Sequence, residues 1–83
     1  GAAEAIEVTA HGDTYSSKVV GRRLDEIQLP EGVTIGAIVR GEEVLIAHSH
    51  VVVETDDHVI LFLVDRRKIN AVEKLFAVGF GFF

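Results

Sequence analysis

Four histidines and thirteen acids supply most of the chemistry this 83-residue chain could offer, and they cluster. His48 and His50 stand two apart with Glu54 four residues on, in the order H-x-H-x-x-x-E. On a strand, imidazoles two apart project to one face and could share a divalent ion. Asp56-Asp57-His58 follows directly and contains an acid–base set, but neighbouring strand residues point to opposite faces. Both aspartates are therefore expected in a turn, where a carboxylate bonds its own backbone. Asp57 is read as the structural turn residue, its loss costing about 1 kcal/mol, as for a helix cap. His11, Asp13, Ser16 and Ser17 hold the residue types of a nucleophilic triad, without the strand-to-helix elbow that would expose a nucleophile. Arg66-Arg67-Lys68 opens the last helical segment, where positive charge is mildly unfavourable and is expected to answer acids such as Asp56 and Asp57.

The elements that position these residues are mainly strands. "AIEVTA" alternates with Ile6, Val8 and Ala10 on one face, as a half-buried strand does. Val20, Leu24 and Ile27 fall at helical spacing before Pro30 and Gly32, which predicts a short helix over about 22–27. "TIGAIVRGEEVLIA" predicts a β-hairpin on a Gly41-Glu42 type II′ turn. That register sets Arg40 opposite Glu43, Val39 opposite Val44 and Ala37 opposite Ile46. "VVVE" is a short strand candidate, and "HVILFLV", apolar on both faces, predicts a central strand covered on both sides. Asp65 is expected to cap a helix whose Ile69, Val72 and Phe76 share a face. The fold class is α+β: a small, mainly antiparallel sheet with a short helix after the first strand and a C-terminal helix. Gly1–Ala3 is set aside as a scar, leaving one domain over 4–83.

Composition excludes several functions. A net charge of -5 argues against nucleic acid as a partner, because phosphate binding needs clustered Lys and Arg. With no cysteine there is no thiolate metal site and no Cys nucleophile. The apolar fraction of 48% exceeds what so small a body hides comfortably, so a protein partner is expected.

Two resemblances compete. His48, His50 and Glu54 resemble part of the first cupin motif, which would make the chain a metal-binding fragment. The second, glycine- and proline-marked motif is missing, and the chain is short for that barrel. More of the chain resembles the TrkA-C domain, the C-terminal lobe of regulator-of-potassium-conductance (RCK) domains. Val20, Gly21, Leu24, Glu26, Ile27, Leu29, Pro30 and Gly32 carry the most specific match, and Thr34–Gly41 the next. Two departures stand out: Asp56-Asp57 in place of the family's Gly-Asp, and His48-Ser49-His50 in place of a proline-bearing connection.

This second resemblance implies a non-catalytic regulatory and assembly domain without catalytic residues or metal, serving bacterial Trk potassium uptake or another cation or anion transporter. It implies a cytoplasmic location on the inner face of the cell membrane, against a potassium transporter subunit. It further implies pairing with a second C-lobe, and NAD(H) or ATP only on nucleotide-binding lobes outside this chain. Arg40 is the expected contact for a small effector, being charged and matching the family's V-R-G position. Ile38, Leu45, Phe80 and Phe82 are the expected dimer contacts, on one apolar side of the hairpin and in the tail.

Overall fold

A computed structural model describes residues 3–79, so the expected contacts Phe80 and Phe82 lie outside the described residues. Four strands form one antiparallel sheet: β1 (Glu4–Thr9), β2 (Val33–Arg40), β3 (Glu43–Ile46) and β4 (His58–Leu63), in the order β1-β4-β2-β3. A single 3₁₀ turn, Leu24–Glu26, replaces the short helix expected over 22–27. Another, Arg66–Lys68, leads into α1 (Ile69–Phe76). The Asp65 carboxylate accepts from the Arg67 amide at 2.9 Å, capping that entry, while Val72 and Phe76 bury the helix's inner face.

The hairpin has the register its side chains call for. Arg40 pairs with Glu43, Val39 with Val44, Ile38 with Leu45 and Ala37 with Ile46. Gly41 has φ 61 and Glu42 does not share a positive φ, which is the type II′ pattern. β4 is central, hydrogen-bonded to β1 and β2. Of the "VVVE" segment only an isolated Arg23–Val52 bridge is strand-like.

Two expectations about faces are corrected. Among the described residues β4 is covered on one side only: Val59, Leu61 and Leu63 are buried, while Phe62 is 49% and Val64 69% exposed. The described residues hold a single α-helix, of 8 residues, and it shields one face of the sheet. Ile38 is the second correction. It is fully buried in the core with Ile35, Leu61 and Val53, and so cannot meet a partner. The cause is a β-bulge at Gly36: Ile35 faces Leu61, yet Ala37 already faces Ile60. Strict alternation from Val33 and Ile35 would point Ile38 outward, and the extra residue turns it inward. Leu45, its partner on β3, is half-buried against the same core. The outer face instead carries Ala37, Val39, Val44, Ile46, Ile60 and Phe62, with the Phe62 ring lying across Gly36, where even a methyl group would collide with it.

Candidate functional site

Arg40 ends β2 on the core side, and Asp57 immediately precedes β4. Because Val39 pairs with His58, antiparallel geometry sets Arg40 beside Asp57. Arg40 Nε donates to Asp57 Oδ1 at 2.9 Å and Nη2 to Oδ2 at 2.8 Å, a bidentate fork on a side chain only 1% exposed. Nη2 also donates to the Val52 carbonyl at 2.8 Å, and Nη1 lies 3.0 Å from Glu54 Oε2. Asp57 Oδ2 accepts the Glu54 amide at 2.8 Å, closing the turn. Burial pushes the Asp57 carboxyl up, but the Arg40 guanidinium and the Glu54 amide outweigh it and hold the group below its ordinary value. The same pairing raises Arg40.

The expected effector contact Arg40 thus also holds the fold together: each of its guanidinium nitrogens has an acid or carbonyl partner within the chain. Glu43, opposite it in register, does not hold the side chain; the acids 14 and 17 positions later do. Asp56 explains the first departure from the family pattern. Its φ is 69, a left-handed conformation that glycine adopts freely and aspartate tolerates better than most residues.

His48 and His50 sit in an exposed turn rather than on a strand, so their spacing does not give a common face. Their rings meet edge-on with centroids 6.5 Å apart, and the His50 amide approaches His48 Nδ1 at 3.4 Å. Glu54 is turned away to Arg40. Among the described residues no three His, Asp or Glu side chains converge as a metal site would require. The hydroxyl loop is equally local. Asp13 Oδ1 accepts from the Tyr15 and Ser16 amides at 2.9 Å, and Ser17 Oγ from the Val19 and Val20 amides at 3.0 Å. Arg66 and Arg67 answer Glu4 and Asp65, not Asp56 and Asp57.

What remains as binding surface was missed by reading motifs. A shallow groove of about 220 Å³ runs between the Leu24–Glu26 turn and the exit of β3. Leu24, Leu29, Ile35 and Ala47 form its apolar floor, and Asp25, His48 and Ser49 its polar rim. An apolar floor with a few polar groups at the edge is the usual make-up of a small-molecule site. The outer sheet face is the second surface: Val44 is 60% and Ile46 73% exposed there, beside Phe62. A signal for both was present in the excess of apolar residues over what one helix can cover.

Comparison with known proteins follows the same geometry. The family model of the TrkA-C domain matches residues 13–77. The chain is 69% identical over 83 residues to the Trk system potassium uptake protein TrkA of Halomonas elongata, covering all of this chain and 18% of that protein. It is 64% identical over 76 residues to the TrkA of Vibrio alginolyticus, covering 92% of this chain and 17% of that protein. The chain thus spans less than a fifth of the length of either relative. Two solved structures share the fold. One, described as an RCK domain with cda, superposes with a TM-score of 0.71 at 12% identity, over 88% of this chain and 97% of that one. The other is the RCK_C domain dimer of S. agalactiae BusR in complex with c-di-AMP, with a TM-score of 0.70 at 23% identity over 87% and 93%.

Proposed function

From a chain that belongs to the TrkA-C domain family, a family of regulatory domains, we propose a non-catalytic assembly and effector-sensing lobe of a Trk-type potassium uptake protein. In this reading the lobe pairs with a second copy of itself, attaches to nucleotide-binding lobes elsewhere in the polypeptide, and works at the inner face of the membrane against the transporter. NAD(H) or ATP would belong to those other lobes. Nucleic acid has no place in the reading, given a net charge of -5.

One observation supports pairing above the rest: the sheet face left without a helix is apolar, with Val44, Ile46 and Phe62 between 49% and 73% exposed. A sheet with one naked apolar face needs a cover. A twofold contact through that face would place each residue twice in the interface. Ile46→Glu should therefore weaken the dimer by about a hundredfold or more, since it removes a buried side chain and desolvates a carboxylate in both copies. Sedimentation at tens of micromolar checks this, with folding monitored by circular dichroism. A wild-type chain that sediments only as monomer would sink the pairing, and an unaffected Ile46→Glu dimer would move it to another face.

Effector sensing is supported by the groove floored by Leu24, Leu29, Ile35 and Ala47. A cyclic dinucleotide is the ligand class to try first, because a neighbour of the same fold was solved with c-di-AMP. Calorimetry should give saturable heat with c-di-AMP, at least tenfold weaker in Ser49→Glu, which puts a negative charge on the exposed rim. No heat with the wild-type chain would remove the effector role and leave assembly alone.

A further inference from the structure

Three of the four cations without an ion-pair partner among the described residues lie together in this acidic chain. Of eight Lys and Arg residues, Arg23, Arg40, Arg66 and Arg67 form ion pairs. Lys18, Arg22, Lys68 and Lys74 have no carboxylate partner among the described residues. Three of these four, Lys18, Arg22 and Lys74, line one groove of about 500 Å³ between the Thr14–Lys18 loop and the segment after α1. Among the described residues no acid lines it, although acids outnumber bases thirteen to eight in the chain. Helix polarity accounts for Lys74 near the C-terminus of α1, but not for Lys18 or Arg22.

The frame of the groove is fixed. Asp13 ties down the loop through the Tyr15 and Ser16 amides, Ser17 Oγ caps the Val19 and Val20 amides, and the Gly79 amide donates to the Ser16 carbonyl at 2.8 Å. The cations are thus mounted on ordered backbone, which lowers the ordering cost of binding. Tyr15, 95% exposed at the mouth, offers an aromatic face and a hydroxyl.

We propose that the Lys18–Arg22–Lys74 groove is a binding site for a small, soluble phosphate-bearing ligand, separate from the apolar groove beside His48. A phosphate group offers several acceptor oxygens, matching the Arg22 fork and two ammonium groups. A flat anionic bilayer is disfavoured as the source of that phosphate, because a body of charge -5 is repelled by it as a whole. A small anion inside the groove feels chiefly the nearest charges, within one screening length.

Inorganic pyrophosphate titrated into the 83-residue chain, followed by amide NMR, is the test. Saturable shifts should centre on the amides around Lys18, Arg22 and Lys74, and Arg22→Gln should weaken binding at least tenfold. Lys68→Gln removes the same charge from an unpaired cation outside the groove and should leave binding unchanged within twofold. Equal weakening by both variants would reduce the effect to net charge and overturn the site. So would the absence of saturable shifts, or binding confined to vesicles of anionic lipid with none to pyrophosphate.

Discussion

Asp57→Ala should lower the stability of the domain by about 3 kcal/mol, read as a fall in urea midpoint without a change in slope. A turn aspartate that only bonds its backbone would cost about 1 kcal/mol, so the experiment separates the two roles. The larger figure follows from what the carboxylate holds. It is 1% exposed and receives both Arg40 donors and the Glu54 amide. Alanine removes it and leaves a guanidinium, 29% exposed, without the buried carboxylate that neutralised it. Because Arg40 keeps that much contact with water and with Glu54, the cost belongs at the lower end of the range for breaking buried pairs. A midpoint indistinguishable from wild type would show that the fork contributes nothing.

Acid should mimic the substitution. The folded carboxyl sits below the ordinary value of 3.8, with burial opposing and Arg40 overcoming it. A depressed folded value contributes stability that is fully present above the unfolded value and is lost as pH falls through the folded one. Wild type and Asp57→Ala should therefore converge in stability as pH is lowered below 3.8, and stay apart near neutrality.

Much of this network was within reach of the sequence, and the reason it was missed is specific. The hairpin register over Ala37–Ile46 followed from charge and size matching across Gly41-Glu42. The start of β4 at His58 followed from the end of the acidic turn. Pairing β2 with β4, as two adjacent apolar strands invite, would have laid Arg40 next to Asp57. Reading the hairpin alone gave Arg40 a neighbour in Glu43 and hid the stronger partner 17 positions away. The 3₁₀ turn at Leu24–Glu26 was harder to anticipate. Its helical spacing is real, but the Glu26 carboxylate reaches back to the Arg23 amide at 2.8 Å and Ile27 is already extended, so the coil stops after one turn. Sidedness was the least legible feature, since hairpin and central strand are apolar on both faces and alternation alone cannot choose.

Ile38→Glu should leave the domain unfolded, whereas Ile46→Glu should leave it folded. The two isoleucines lie on neighbouring strands of one hairpin, and a regular β2 would have exposed the first of them. The bulge at Gly36 reverses that assignment: Ile38 is 0% and Ile46 73% exposed. Burying glutamate at Ile38 forfeits about 2 kcal/mol of apolar burial and adds several more for a carboxylate without a partner. The sum approaches the whole stability of a domain this size, about 4–12 kcal/mol at typical values per residue. Ile38→Val, which removes one methylene, should cost only about 1 kcal/mol and keep the fold and any self-association intact. Amide NMR dispersion for the three variants reads the outcome directly. A well-dispersed, monomeric Ile38→Glu domain would put that side chain on the surface, refute the bulged register, and return the partner-facing role to the inner side of the hairpin. Dispersion lost in Ile38→Glu but kept in Ile46→Glu and Ile38→Val would fix the core face and leave Val44, Ile46 and Phe62 as the side the sheet offers to a partner.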